Sequence, residues 1–508
     1  MIDVSDNYAP FAQVRRIGFS AEFRLVDTGA AGNVTDTPTS ARAIARTAQL
    51  RDGINVPTGK FASLEPNLWL LDGSYRCPDL SSASEEVGVW LNTLSGTDAA
   101  FSSNVYVTFK LSSPATSIGF TLYFDGVGGT VPAEVVTTAY SGTTVLGTKT
   151  DVCDGPILIV ELPVENYDSV TFIFTKTALP LRRVRLIEVV FGIVKTYTPD
   201  NVASAVLSYG ADPIAKTFPT RQIKMTIDNS RREYNMRNPS SIYAFLQDGQ
   251  QILVSLSIDG ETVDMGQFHF TSAKAKDSGL TAEMQANDRA YGWDGAVYSP
   301  GSHANEVVTL ATAVSYVLSG RGTTVAYASG IQLRTVRVSP PEGSSIRETL
   351  RLFAQAARCS VWIDRDGVLR FGELTVASTA AQSYAPGALY SMDGISVRDK
   401  VDRVTVNIAR VKVDSGGVLY TYGSGDSEVK ISNPCVAPAN GDAVAKWIHD
   451  YYARRLGYDF KNRGDPAVEI GDTVAVADTF GDPGLAVVTA ETLTYKGGLY
   501  AVTKGVGP

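Results

Sequence analysis

The chain has 508 residues and a formal charge of −8, a length that exceeds one hydrophobic core and predicts about three to four domains. Apolar residues at 44% and charged residues at 19% exclude a disordered chain. The acidic balance excludes nucleic acid as the main partner, because phosphate binding needs a basic face. The basic pairs Arg182-Arg183, Arg231-Arg232 and Arg454-Arg455 are too short for such a face and read as solvated. Cys77, Cys153, Cys359 and Cys435 are far apart, and the start MIDVSDNYAP has no basic or apolar leader segment. Free thiols in a reducing cytoplasm are therefore expected. The longest apolar runs are strand-sized, so no membrane span is expected. Export would then be by lysis or within a particle.

In chain order, residues 1–45 hold a strand at Ile17–Val26 and a small-residue stretch that reads as a linker or a short exposed helix. Residues 46–195 are all β. VYVTFKL (105–111), IGFTLYF (118–124), AEVVTTAY (133–140), ILIVEL (157–162), SVTFIFT (169–175) and RVRLIEVVFG (183–192) alternate between Gly, Pro and Asp turns. Strands in that number without intervening helices predict a two-sheet, jelly-roll-like sandwich. Residues 196–296 form a second β unit, with strands in 221–229, 250–258, 265–277 and 280–288 and a turn at Asp259-Gly260.

Residues 297–388 change to α+β. Val307, Leu310, Ala311, Val314 and Leu318 share one helical face, and Ser345 with Glu348 forms a capping box for a second helix. A hairpin follows, turning at Asp364-Arg365-Asp366-Gly367. Residues 389–508 return to strands, interrupted by a helix through Val444, Trp447, Ile448 and Tyr451 that Gly457 ends. Val468/Ile470 and Val474/Val476 alternate around Gly471-Asp472, and Thr492–Tyr495 and Leu499–Val502 flank Gly497-Gly498. The fold class is thus mainly β with α+β parts and several domains.

No catalytic constellation emerges. His269, His303 and His449 have no ligand partners at metal spacing, and no cofactor or metal site is expected. Gly126–Thr130 (GVGGT) lacks the lysine and helix of a phosphate loop and reads as a turn. Glu85-Glu86, Asp364/Asp366 and Asp72 are the acids a wall hydrolase could use, yet loop and turn chemistry explains them without catalysis. The aromatic set of the N-terminal sandwich suits a sugar better. Trp69, Tyr75 and Trp90 lie near Asp72, Asn92 and Asp98; rings stack on sugar C–H faces and polar groups bond hydroxyls. Trp69, Asp72, Tyr75 and Trp90 are the candidate glycan-contacting residues, against a competing reading of both tryptophans as core.

The segments YNMRNPSSIYAFLQDGQQILVSLSI (234–258), MGQFHF (265–270), EMQANDRAYGWD (283–294), SIRETLRLFAQAARCSVWIDRDGVLRF (345–371), DPAVEIGDTVAVAD and the terminal TYKGGLYAVTKGVG occur in one order. In that order they resemble the hub family of bacteriophage tail tips and baseplates, over residues 195–508. LWLLDGS (68–74) and GFTLYFD (119–125) resemble an extra β-sandwich in hubs of Gram-positive phages. The resemblance implies two small β-barrels flanking the α+β domain, with the sandwich inserted into the first barrel and projecting outward. It implies a homotrimeric ring that adapts a sixfold tail to a threefold tip and takes part in host attachment. The partners it implies are a distal tail or tail tube protein, a tape measure protein and a cell-wall glycan. The location it implies is the virion tail tip, assembled in the host cytoplasm. The chain ends at Gly507-Pro508, right after the hub, so a structural, non-enzymatic role is expected. A tail-associated wall hydrolase using carboxylates of the sandwich is the alternative.

Overall fold

The computed structural model describes residues 17–508 except 28, 41–46, 64, 69, 71, 80–84, 92, 239–240, 259–260, 277–278, 386–387, 411–413, 415–416 and 478–482. The chain is mainly β and divides into two compact units. The first comprises residues 1–21, 197–235 and 251–508; the second comprises 22–196 and 236–250.

The first unit is built on one long sheet. Its strand order is Leu389–Val397, Leu456–Asn462, Leu499–Val506, Gly484–Tyr495, Val202–Gly210, Gln222–Asp228, Thr281–Asn287, Glu261–Ala275 and Gln251–Ile258. Thr473–Val476 branches from Gly484–Tyr495 and carries Gln382–Tyr384 on its other edge. Strand alternation accounts for the buried faces: in Gln251–Ile258 every second residue is buried, Ile252, Val254, Leu256 and Ile258.

Among the described residues no strand set closes into a barrel, which corrects the expectation of two barrels. The reason lies in Val202–Gly210. One edge pairs with Gln222–Asp228, while the other runs against Gly484–Tyr495, from Ala205↔Tyr495 to Gly210↔Ala490. The edge that could have closed the first strand set is thus used to join it to the second. This seam is formed by strands almost three hundred residues apart in sequence.

The α+β part packs a single core. The helix Leu310–Leu318 starts at Thr309, whose hydroxyl accepts the Thr312 amide at 3.3 Å. Val307 therefore lies before the helix in a short strand and is exposed. The buried face is Leu310, Ala313, Val314, Val317 and Leu318, rotated from the one expected. Ser345 caps Ile346–Ala356 by accepting the Glu348 amide at 3.1 Å, and the Glu348 carboxylate pairs with Arg351. The hairpin Ser360–Ile363/Leu369–Gly372 follows. Gly441–Ala453 buries Val444, Ala445 and Ile448, with Trp447 and Tyr451 half-buried against the same core. This helix ends before Arg454, and Gly457 is already in the next strand, so Gly457 is not its stop. Residues 463–472 form a loop instead of the expected strand through Val468 and Ile470. The hairpin around Gly497 is present, with Tyr495 opposite Leu499 and Gly497 at φ 72°. The turn expected at Asp259-Gly260 lies outside the described residues.

The second unit is organised by two long antiparallel strands, Ala100–Phe124 and Ile157–Thr177. Their pairing is regular from Val105↔Phe174 to Lys110↔Ser169 and again from Gly119↔Glu161 to Tyr123↔Ile157, with register shifts between. Segments expected as separate strands are therefore halves of one strand, with the register shifting across Pro114, where proline removes a ladder donor. Pro132–Ser141 and Thr144–Val152 extend one half; Arg185–Val190 and Val89–Trp90 extend the other. One hydrogen-bonded sheet thus folds over itself instead of forming two separate sheets. Across the fold, Phe120 meets Phe172 at 5.6 Å and Phe109 meets Phe191 at 5.3 Å, edge to face. All four rings are 0–1% exposed. Phe120→Ala is expected to cost about 3–5 kcal/mol through the cavity left behind. Urea unfolding followed by tryptophan fluorescence would measure it, and a change under about 1 kcal/mol would show that the folded-over ribbon does not depend on this ring.

Candidate functional site

The sequence candidates for sugar contact do not form one cluster of open rings. Trp69 and Asn92 lie outside the described residues. Asp72 is exposed, and its Oδ1 accepts both the Ser74 amide at 2.9 Å and the Ser74 hydroxyl at 2.5 Å. Those bonds, the hydroxyl first, hold its carboxyl below the usual range. Tyr75 is half-buried in the same loop, with Lys60 Nζ 5.9 Å from its ring centre. Trp90 is 2% exposed; its indole N–H donates to Val87 O at 3.1 Å, and the Arg185 guanidinium covers one face at 3.9 Å. Trp90 therefore occupies a core position with no face open to a sugar. Asp98 accepts the Ala100 amide at 3.1 Å, as turn aspartates do.

The acids are similarly engaged. Glu85 pairs with Arg76 and accepts the Asp79 amide. Glu86 accepts the Gly88 amide at 3.2 Å, and burial, reinforced by the Asp52 charge, pushes its carboxyl up to about 7. Burial also pushes Glu188 up to about 8. Asp364 binds its own turn, accepting the Asp366 and Val368 amides at 3.0 and 2.9 Å and Arg370 Nε at 2.5 Å. Gly126–Thr130 is a short turn, tied by the Thr130 hydroxyl to Asp125 O at 2.5 Å. His303 stacks on Tyr316 at 3.9 Å and faces Glu306, while His449 meets Tyr422 edge-on at 5.2 Å. Among the described residues no group of three or more His, Cys, Asp or Glu could hold a metal ion. The four cysteines are free thiols; Cys77 is exposed and the others are buried.

Sequence reasoning missed the polar networks that hold each unit. In the second unit Arg185 is fully buried. It donates to Glu65 at 2.6 Å, Ser63 Oγ at 2.9 Å and Asp125 at 3.4 Å while stacking on Trp90. It thereby fastens the segment around Phe61–Glu65 to the Arg185–Val190 strand. In the first unit Arg365 extends from the hairpin turn to bond Glu469, Pro466 O at 2.7 Å and Asp264 O at 3.3 Å. Arg221 lies on the same Glu469 at 3.9 Å, donates to Met265 O at 2.9 Å and stacks over Tyr209 at 4.4 Å. The Tyr209 hydroxyl then donates to Glu491 at 2.7 Å. Separate stretches of the unit meet in this network: Tyr209 and Arg221, Asp264 and Met265, the Arg365 hairpin turn, Pro466 and Glu469, and Glu491. None of these residues is spaced as a motif, and an arginine in a polar hairpin turn reads locally as solvated.

No family model matches the sequence, and no curated protein matches it. Solved structures do. The 43 kDa tail protein of prophage MuSo2 from Shewanella oneidensis is similar at 14% identity and TM-score 0.46, over 62% of this chain and 96% of that one. A tail protein from Neisseria meningitidis MC58 is similar at 12% identity and TM-score 0.45, over 61% of this chain and 93% of that one. The E. coli c3393 protein is described as a type VI secretion component with structural similarity to the T4 tail proteins gp27 and gp5. It is similar at 11% identity and TM-score 0.37, over 61% of this chain and 74% of that one.

Breaking the first-unit network has a definite expected outcome. Arg365→Met leaves the partly buried Glu469 with only the more distant Arg221, so a loss of about 1.5–3 kcal/mol is expected. Arg365→Lys recovers little, because an ammonium lacks the planar fork that reaches several acceptors. Guanidinium unfolding of both variants tests this, with Glu469→Gln on the Arg365→Met background expected to regain part of the loss.

Proposed function

We propose that this chain is a structural subunit of a phage or phage-derived tail tip or baseplate, and that it forms a homotrimeric hub ring. The observation that carries the reading is the ordered set of hub-like segments from residue 195 to residue 508. In keeping with it, two strand sets are joined edge to edge at Ala205–Gly210/Ala490–Tyr495. Three copies with two strand sets each would give six similar elements, which suits the adaptation of a sixfold tail to a threefold tip. A closed ring of this kind follows from heterologous contacts whose rotation closes. Distal tail or tail tube protein and tape measure protein are the partners of such a ring. Its location would be the virion tail tip, after assembly in the host cytoplasm. Residues 46–195 would take part in host attachment, through neighbouring proteins or a cell-wall glycan held by Asp72 and Tyr75.

The alternative, a wall hydrolase using acids of the N-terminal sandwich, needs carboxyls open to a polymer. Glu85 and Glu86 are each less than one-tenth exposed, and the exposed Asp72 is held by the Ser74 amide and hydroxyl as a turn aspartate, which favours the structural reading. Native mass measurement of the purified chain and of dissociated tails is expected to give three copies per assembly; a monomer in assembled tails would overturn the ring. In zymography on peptidoglycan the full chain is expected to leave the wall intact, and a cleared band would favour the hydrolase. Asp72→Ala with Tyr75→Ala is expected to reduce retention of the full chain on wall polysaccharide by about tenfold, as loss of one stacked ring and one hydroxyl contact would.

A further inference from the structure

The seam between the two strand sets has an unusual occupant. Glu491 lies directly opposite Tyr209 in the seam register and is 1% exposed. Among the described residues its polar contacts are hydroxyls: Tyr209 at 2.7 Å and, more distantly, Thr503 at 3.5 Å. The cations nearby are engaged elsewhere. Arg365 is bonded to Glu469, Pro466 O and Asp264 O, and Arg221 to Met265 O beside Glu469.

Around Glu491 stand Tyr209 on its own seam partner, Glu469 and Asp465 on the loop before Thr473, Arg365 on the hairpin and Tyr384 on the Gln382–Tyr384 strand. Asp465 accepts Gln382 Nε2 at 2.7 Å, and Asp472 accepts the Glu469 amide at 2.8 Å. Tyr209 and Tyr384 are buried phenols whose hydroxyls are pushed well above their ordinary range, so both stay protonated. An ionised Glu491 would therefore be a buried anion with no paired cation among the described residues, beside two other acids. Such a group neutralises itself in preference to paying the desolvation cost.

We propose that the seam is a proton-dependent joint: Glu491 holds it closed as a neutral carboxylic acid, and ionisation of Glu491 loosens the pairing of Val202–Gly210 with Gly484–Tyr495. This rests on the geometry of the first unit and not on the hub reading. Burial, ahead of every other cause, pushes the Glu491 carboxyl up to about 8 from its ordinary 4.5. The sign follows from linkage. The folded value is raised, so the stabilisation is complete below about 4.5, declines as pH rises toward 8, and levels off above it. Asp288, pushed up to about 7 by burial, and Glu86 and Glu188 in the second unit contribute slopes of the same direction. The test must therefore be local to the seam.

Hydrogen–deuterium exchange of the full chain provides that locality. After correction for intrinsic base catalysis, opening of peptides covering 205–210 and 490–495 is expected to rise by up to about tenfold per pH unit between about pH 6 and 8. In Glu491→Gln, which keeps the shape and cannot ionise, the same peptides should show no rise. Tyr209→Phe removes the hydroxyl that stabilises the ionised form in the closed seam, so the rise should continue to higher pH before it levels off. Seam protection that is constant with pH in the native chain would overturn the proposal. So would a Glu491→Gln profile that follows the native one. Should Glu491→Gln fail to fold, the Tyr209→Phe shift decides alone, and an unshifted profile would refute the joint.

Discussion

The first unit depends on an ion network in which two buried arginines meet the partly buried Glu469. Arg365 reaches it from the hairpin and Arg221 from the entry to the Gln222–Asp228 strand. Burying a guanidinium is costly, and the cost is offset only when its donors are matched. Here the matched donors go largely to backbone carbonyls, Pro466 O, Asp264 O and Met265 O, while Arg221 Nε is buried without a hydrogen-bond partner among the described residues. A carbonyl acceptor is available only when its chain segment is in place, so the network holds segments and not merely side chains. From the 463–472 loop the Pro466 carbonyl and the Glu469 carboxylate are used this way.

The second unit applies the same physics on a smaller scale. Arg185 is enclosed by Glu65, Asp125, Ser63 and the face of Trp90. Two carboxyls on one guanidinium leave a surplus of negative charge, and burial raises the Asp125 carboxyl despite the arginine. The residues suggested for sugar contact are divided by this arrangement: Trp90 belongs to the arginine, while Asp72 and Tyr75 remain in an accessible loop. An arginine with no sequence motif thus decided what a tryptophan was for. For a protein proposed to serve as a mechanical adapter, polar networks that lock segments together are a reasonable substitute for reactive groups.

Much of the local structure was legible. The Ser345–Glu348 cap, the Asp364–Gly367 turn and the Gly497 hairpin each depend on residues within four positions of one another, so their signals lie in short windows. Misreadings occurred where a neighbour decided. Leu111 is followed by register shifts within one strand and not by a break, because the partner strand Ile157–Thr177 runs alongside it throughout. The helix at Leu310 began later than its apolar spacing suggested, because the Thr309 hydroxyl captured the first turn. The strand Val202–Gly210 was not anticipated at all, although it proved to be the seam.

The sequence by itself determined the mainly β class, the sites of turns and caps, the acidic balance and the order of the segments that suggest a tail hub. These follow from composition and from contacts between near neighbours. Only the tertiary structure decided which strand edges meet, that the ladder stays open, and which acids are enclosed. Tyr209 and Glu491 are 282 residues apart, and no local pattern specifies that one hydroxyl will be the other's principal partner. Strand edges are chemically alike along their length, so their choice of neighbour is a property of the whole packed unit.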